Sequence, residues 1–425
     1  MQDHPVLGQV ALGYSPIIDR QRNVVATRLT VFAEPGSTPP DALALLYLLG
    51  EVWPVAAGGG ELALTLRALD GPAASREAPV SQVATPPVSL NVADEALLCA
   101  VLAQQPGPQL MVEVPAFMAG DATHLETLRQ LHASGTPMLI KGRPLAPLAP
   151  EVLACFGHAI LHAGEERRDA VAQGVGARRV TTWQADVRTT ADADAAFKLG
   201  AAAVVGWPFD DPPPAAASRG KRTGNAQVVL ELIHGVERED PVPRLEAVLM
   251  RDPTLAFKLM RYLNSPAFGL TVEINSFSHA LMLLGYQRLK RWLALLLASS
   301  SQAPNARPMV FAAVRRGMLL EELARGRGDA AVCGEMFICG LFSLLDRLLE
   351  QPWSELMRNL PVPDTVRQAL CGEGGPYLPY LQLVQAIEQA SVFDIREVAG
   401  RLLLSATEVN RALLKALQAA RQLDG

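Results

Sequence analysis

Two histidines four residues apart are the side chains best suited by type to bind a metal ion. His158 and His162 lie in the run HAILH, and imidazole nitrogens are common zinc ligands. The run is apolar between the two rings and predicts a strand, in which residues i and i+4 lie on the same face. No third ligand follows at a suitable spacing, so we expect a structural or surface role for the pair.

A basic cluster is the second feature with chemical potential. Arg288, Lys290 and Arg291 follow one another closely in QRLKRW, and arginines often anchor protein–protein contacts. These three residues are therefore the candidates for binding a partner. The triple glycine at 58–60 lacks the flanking residues of a phosphate-binding loop and predicts an ordinary loop.

Short β-rich runs alternate with helical stretches across residues 6–209. Eight strands are predicted, at residues 9–14, 24–32, 88–92, 110–114, 137–140, 158–161, 179–182 and 202–205. Five helices are predicted between them, at residues 41–52, 94–103, 121–134, 165–174 and 191–199. This alternation is typical of parallel βαβ units and predicts an α/β barrel. Because full barrels need about 250 residues, we expect a trimmed or irregular TIM-like (β/α) barrel.

Four runs in this half occur in a recognisable order. They are YSPIIDRQRNVVATRLTVF at 14–32, SLNV at 89–92, LMVEV at 110–114, and DVRT at 186–189 with VGWPF at 205–209. Together they resemble the EAL domain, a barrel that hydrolyses cyclic di-GMP with paired metal ions. The resemblance implies that Asn91 and Glu113 stand at metal-ligand positions.

The other ligand positions implied by this resemblance carry different residues. Arg28 stands where the family has its signature glutamate, and Lys141 and Arg143 replace paired aspartates. Arg188 falls near a later glutamate position, and HAILH replaces a catalytic lysine–aspartate strand. Metal-assisted hydrolysis needs several hard oxygen ligands, which two residues cannot supply. We therefore predict an inactive domain without a cofactor, in which Arg28, Lys141, Arg143 and Arg188 are candidates for binding an anion.

Consecutive prolines mark a boundary between two domains. The run DDPPP at 210–214 precedes AAASRGKRTGN, and prolines cannot enter the interior of a helix or sheet. We predict an EAL-like barrel over 1–214, a linker over 215–224 and an all-α domain over 225–425. Its helices are predicted at residues 227–234, 242–250, 309–325, 335–349, 353–359, 364–371, 380–391, 394–404 and 408–423.

The stretch 251–296 has the clearest pattern in the chain and predicts three further helices. Asp252 suits a helix start, and the NSP run at 264–266 ends that helix. Ser276 can cap the second helix, Gly285 can end it with a left-handed conformation, and a third follows from Tyr286.

This stretch also carries a family resemblance. DPTLAFKLMRYLNSPAFGL followed by INSFSHALMLLGYQRLKRWLA is similar to the HDOD domain, an all-α relative of the HD phosphohydrolases, and implies an HD-like bundle. The resemblance places Ser343-Leu344 at the His-Asp positions of active enzymes and Arg316 in the region of an earlier histidine. No histidine follows position 279, so we expect no metal hydrolysis here. Asp346 and Arg347 are expected to be solvated.

Composition is that of a globular protein, with 49% apolar and 19% charged residues and a net charge of −5. The charge gives no general footprint for a polyanion, so nucleic acid is not an expected partner. Five scattered cysteines without CxxC spacing predict reduced thiols. With no signal peptide or long apolar run, we expect a cytoplasmic protein without membrane association.

The leading hypothesis is a catalytically inactive bacterial signalling scaffold in or near cyclic di-GMP regulation. It would act through contacts with other signalling proteins, and self-association of the chain stays open. One alternative is a metal-independent binder of cyclic di-GMP or another anionic nucleotide in the barrel mouth. The other is a residual cyclic di-GMP phosphodiesterase.

Overall fold

The computed structural model describes residues 4–36, 39–54, 88–144, 146–162, 180–211, 224–252, 277–301 and 305–424. The chain divides into two compact units. The first contains the described residues of Met1–Val55, Gln82–Asp211 and Leu383–Arg411, and the second those of Pro212–Gln382 and Ala412–Gly425. The predicted domain 225–425 differs from this division, because Leu383–Arg411 clusters with the first unit. Most of the predicted linker lies outside the described residues.

Eight strands close into a barrel in the first unit, in the order in which they follow along the chain. They are β1 (Val10–Asp19), β2 (Val24–Ala33), β3 (Val88–Val92), β4 (Leu110–Pro115), β5 (Met138–Lys141), β6 (His158–Leu161), β7 (Thr181–Val187) and β8 (Ala203–Gly206). Strand β1 runs antiparallel to both of its neighbours, and the other neighbouring pairs are parallel. This confirms the predicted eight-stranded barrel.

Helices follow several of these strands. They are α1 (Ala42–Val52), α2 (Glu95–Ala103), α3 (Ala116–Ala119), α4 (Leu125–Ala133), α5 (Pro150–Leu153) and α6 (Thr190–Lys198), with 3-10 turns at Pro5–Gly8 and Ala122–His124. The carboxylates of Asp41 and Asp94 accept hydrogen bonds from backbone N–H groups of the first turns of α1 and α2. Thr189 and Asp192 form a capping box at α6. The predicted helix at 165–174 lies outside the described residues.

Alternate strand positions fill the barrel interior. Apolar side chains from seven strands form one buried cluster there: Ile17, Ala26, Met111, Leu139, Ile160, Trp183, Ala185, Ala203 and Val205. Positions two residues further along β2, β4 and β5 face inward as well. Because β2 to β8 are parallel, their C-terminal ends meet at one rim, which we call the mouth. The N-terminal half of β1 also lies at the mouth, since Val10 pairs with Ala33.

The second unit is helical. Its helices are α7 (Gly224–Glu237), α8 (Val242–Leu249), α9 (Phe277–Ser299), α10 (Ala306–Ala324), α11 (Ala330–Phe342), α12 (Leu345–Leu348), α13 (Trp353–Leu356) and α14 (Asp364–Leu370). Further on are α15 (Leu378–Glu388), α16 (Val392–Arg401) and α17 (Ala406–Asp424), which include the segment Leu383–Arg411 of the first unit.

Glycines mark two important points of the helical unit. Gly285 interrupts α9 with φ 70° and ψ 168°, which confirms the predicted helix end there. Gly340 allows α11 to cross α10 closely, because an added Cβ would lie 2.5 Å from the Arg316 backbone. The helix, stop and cap predicted at 253–276 lie outside the described residues. None of the helices in the described ranges is long and apolar enough to cross a bilayer.

Candidate functional site

An ion pair between β2 and β4 lies on the inner face of the barrel. Arg28 Nε and Nη2 donate to the two carboxylate oxygens of Glu113 at 2.7 and 2.6 Å. The Glu113 side chain is 0% exposed and that of Arg28 is 11% exposed. Ser89 Oγ donates a further hydrogen bond to Glu113 Oε1 at 3.0 Å. The planar guanidinium fork matches a carboxylate in geometry, so both acceptor oxygens of Glu113 are engaged.

The carboxylate of Glu113 keeps Arg28 charged. Burial acts to lower the pKa of Arg28, but the facing Glu113 carboxylate outweighs burial and raises this pKa above its ordinary value. The guanidinium therefore stays charged inside the barrel. Because the closest partner of a buried cation is an anion at hydrogen-bond distance, much of the positive charge of Arg28 is neutralised within the fold.

A second polar pair lies beside the first. Lys141 Nζ donates to Asn91 Oδ1 at 2.7 Å, and Asn91 Nδ2 donates to Thr30 Oγ1 at 3.2 Å. Burial lowers the pKa of Lys141, and Glu113 opposes that shift while Arg28 adds to it. Asn91 and Glu113, the two residues for which the sequence resemblance implies a metal-ligand position, are thus each bound by a cation of the chain.

This arrangement does not fit a divalent metal ion. The oxygens that would coordinate Mg²⁺ accept hydrogen bonds from Arg28 and Lys141 instead. At an effective dielectric constant of about 20, an Mg²⁺ ion about 4 Å from one unit positive charge would be repelled by about 8 kcal/mol. Within the part of the chain that the structure describes, no group of three or more His, Cys, Asp or Glu side chains is placed to hold a metal ion.

The four cations predicted to bind an anion fall into two kinds. Arg28 and Lys141 belong to the buried network. Arg143 and Arg188 are exposed residues just beyond the ends of β5 and β7, at the same rim. Of the four predicted anion-binding residues, Arg143 and Arg188 are therefore the two that a solute at the rim can reach directly.

The two histidines have different surroundings. The His158 ring stacks on Trp183, with 4.6 Å between ring centroids, and burial lowers its pKa. His162 Nδ1 lies 2.8 Å from Asp186 Oδ2 at the rim. Asp186 has a left-handed backbone with φ 58°, within an irregular register of β7. Asp186 opens the DVRT run of the sequence analysis but was not among its candidate site residues.

The helical unit also buries an arginine, in the region where the sequence resemblance implies a histidine of active hydrolases. Arg316 is 6% exposed, and its Nη1 donates to Ser343 Oγ at 3.0 Å. Asp346 is buried rather than solvated, because Leu345 and Leu348 draw its short helix into the core. Burial raises the pKa of Asp346, and Arg347 and Arg316 oppose that shift. The expectation of a solvated Asp346 was wrong.

The predicted partner-binding cluster is bonded within the helical unit. Arg291 Nη1 lies 2.9 Å from Glu321 Oε2, and its guanidinium lies 3.7 Å from the centroid of the Phe337 ring. Lys290 forms an ion pair with Glu237. The side chain of Arg288 lies outside what the structure describes. Arg291 therefore joins α9 to α10 and α11 as part of the fold.

Comparison with known proteins matches part of the helical unit to a family. Residues 225–349 match the HDOD domain family, so this part of the chain is an HDOD domain, as its sequence predicted. The chain is 32% identical to the uncharacterized protein YuxH of Bacillus subtilis over 176 residues, 40% of this chain and 43% of that protein. It is 28% identical to the cyclic di-GMP phosphodiesterase CdgJ of Vibrio cholerae over 173 residues, 41% of this chain and 40% of that protein.

Each of these matches spans less than half of the relative's length. A solved structure, the PaMucR phosphodiesterase in complex with c-di-GMP, shares 18% identity and covers 47% of this chain and 89% of its own, with a TM-score of 0.28.

Proposed function

We propose that this chain is a catalytically inactive component of bacterial cyclic di-GMP signalling, formed by a degenerate EAL-type (β/α) barrel and an HDOD domain. The observation that carries the proposal is the ion pair between Arg28 and Glu113. The HDOD match at 225–349 and the similarity to a cyclic di-GMP phosphodiesterase of Vibrio cholerae support the signalling context.

Inactivity follows from the chemistry of the barrel mouth. Hydrolysis of a phosphodiester by paired metals requires oxygen ligands that hold the cations and a bound water of lowered pKa. A guanidinium is a hydrogen-bond donor without an open coordination position, so it cannot take over the activation of water. With the carboxylate of Glu113 bound to Arg28, the barrel keeps a polar interior but loses the means of hydrolysis. In the absence of hydrolysis, we assign the signalling role of the chain to contacts with other signalling proteins.

A hydrolysis assay tests this proposal. The full chain at high concentration is incubated with cyclic di-GMP and either Mg²⁺ or Mn²⁺, beside an active EAL enzyme as positive control. We expect no linear product above the blank. Turnover that depends on the added metal and disappears in Glu113→Ala would refute inactivity and support a residual phosphodiesterase.

A second candidate function is metal-independent binding of an anionic nucleotide at the mouth. It is favoured by the exposed positions of Arg143 and Arg188 at the rim. Calorimetry with cyclic di-GMP should give the same heat with and without EDTA, and Arg143→Ala/Arg188→Ala should lose it. Arg129→Ala, on the exposed α4–α5 ion pair with Glu151, is the matched control. Absence of heat in the unmodified chain would leave the scaffold function alone.

A further inference from the structure

The segment Leu383–Arg411, which we call the cap, belongs to the barrel unit although it lies more than 170 residues after β8. Asn410 shows how firmly it is bound. Its Nδ2 donates to the carbonyls of Leu7 and Val10 at 2.8 and 2.6 Å, and its Oδ1 accepts from the Leu12 N–H at 3.2 Å. The Asn410 side chain is 2% exposed, so these bonds form away from water.

A second group of contacts joins the cap to the mouth. Trp207, the first residue after β8, donates from Nε1 to the Glu388 carbonyl at 2.8 Å. The Tyr14 ring packs edge-on against Trp207, with 5.4 Å between centroids. Arg396 forms an ion pair at 3.0 Å with Glu34, which directly follows β2. The contacts therefore fall on β1, β2 and β8, at the rim where the parallel strands end.

The cap also reaches the inner face of β1. Gly13 faces inward, since it is two alternations from Ile17 of the interior cluster. A Cβ on Gly13 would lie 2.8 Å from both Cα and Cβ of Ala390 and 2.9 Å from the Ile387 carbonyl oxygen. Only a residue without a side chain permits this approach. Gly13 pairs with Thr30, which accepts a hydrogen bond from Asn91 of the buried network.

The cap is not part of the sheet. The closed barrel consists of β1 to β8 alone, and the cap is fastened by side-chain hydrogen bonds, an ion pair and close packing. Release of the cap would therefore break no strand ladder. Two left-handed turns, at Ala390 and Leu403 with φ 51° and 54°, lie within the cap and separate its helices.

We propose that the cap is a releasable cover of the mouth, and that entry to the inward-facing polar network requires its release from β1 and β8. The proposal rests on the proposed function only for the identity of the ligand, an anionic nucleotide. The cover itself is tested without any ligand. In ligand-binding barrels the site lies at the C-terminal ends of the strands, which is the end that the cap contacts.

A reversible lock tests the cover. A Cβ on Gly8 would lie 3.0 Å from Thr407 Oγ1, and in a disulfide the Cβ of one cysteine lies about 3 Å from the partner sulfur. Gly8→Cys/Thr407→Cys in the full chain should therefore form a disulfide that fastens the cap. Thr30→Cys in the same protein supplies a thiol probe on the inner face, where Thr30 is 7% exposed.

Labelling of Thr30→Cys by a maleimide, followed by mass spectrometry of peptides, gives the readout. Labelling of a buried thiol follows the population of the open state, so oxidation of the lock should slow it at least about tenfold. Native Cys99, on α2, is the internal control and should label equally in both states. Equal rates at Thr30→Cys in the locked and reduced proteins would overturn the proposal.

A second variant covers the case in which the lock does not form. Gly13→Ala adds a methyl group against Ala390 and should speed labelling of Thr30→Cys; unchanged or slower labelling contradicts a cover held by this contact.

Calorimetry with cyclic di-GMP on the locked and reduced proteins separates the two proposals. Lock-sensitive labelling without heat would keep the cover and refute nucleotide binding, whereas equal heat in both states would refute entry of the nucleotide into the covered network.

Discussion

Removal of one partner from the Arg28–Glu113 pair should destabilise the barrel far more than removal of both. In Glu113→Leu, Arg28 loses its bonded carboxylate and the half-buried Lys141 loses a nearby negative charge; loss of a buried partner costs about 3–5 kcal/mol. In Arg28→Met, Lys141 still faces Glu113 and offsets part of the loss, so we expect about 2–3 kcal/mol. Arg28→Met/Glu113→Leu leaves no unpaired charge of the pair and should lie within about 1 kcal/mol of the unmodified barrel.

Urea unfolding monitored by tryptophan fluorescence measures these differences. Trp292 and Trp353 belong to the helical unit and are replaced by Phe in every variant, so that the remaining tryptophans report the barrel. The exposed ion pair between Arg129 and Glu151 is the matched control, and Arg129→Met should cost less than about 1 kcal/mol. If the double variant is as unstable as the sum of the single variants, the two side chains are not coupled and the reasoning from the ion pair fails.

Three further perturbations test other parts of the structure. Asn410→Ala removes three buried hydrogen bonds and should lower barrel stability by about 3 kcal/mol in the same urea assay; an unchanged midpoint would contradict the bonded cap. Burial lowers the folded-state pKa of His158, so the unfolded state binds more protons below about pH 6.5 and stability falls on acidification; His158→Gln should flatten that pH dependence. Burial raises the pKa of Cys339 to about 12, so alkylation at pH 8 should be roughly a thousandfold slower than for an ordinary thiol until the helical unit unfolds.

The barrel strands could be predicted from sequence because their signal is local. Strand β3, VSLNV, is buried at every position, and short apolar runs of this kind between turn residues are typical of strands covered on both faces. Helix starts were equally local, since Asp41 and Asp94 cap α1 and α2 through their own side chains. Long-range placement has no such signal. The helical spacing of apolar residues in α16 and α17 predicts that one face of each helix is buried. It does not predict which element that face packs against.

Asn410 illustrates this limit. In sequence it is a polar residue between Val409 and Arg411 in an amphipathic helix, which would ordinarily face solvent. Its three partners lie about 400 positions earlier, at Leu7, Val10 and Leu12. Only the fold brings those backbone groups to the helix. The same reasoning explains why the predicted helical domain included Leu383–Arg411.

The residues of the candidate site could be singled out from the sequence, but the hydrogen bonds among them could not be predicted. Arg28, Asn91, Glu113 and Lys141 were singled out by position, and the structure brings all four together through β2, β3, β4 and β5. The sequence predicted that Arg28 and Lys141 could bind an anion from solution. The register that pairs Arg28 with Ser89 places the guanidinium within reach of Glu113, 85 positions away. The chain itself supplies the anion.

In each unit an arginine lies where the sequence resemblance implies a metal ligand. Arg28 binds Glu113 in the barrel, and Arg316 binds Ser343 beside the buried Asp346 in the helical unit. Each unit thus has a positive charge near a buried carboxylate, and an arginine side chain supplies that charge where a hydrolase would use a metal ion. Because Arg28 and Arg316 bond to polar groups of the chain at these places, we predict that neither unit needs a metal ion for its stability. Unfolding midpoints of both units should therefore be the same in EDTA and in excess Mg²⁺, and a midpoint raised by Mg²⁺ would show that binding of the metal to the native state outweighs the arginine.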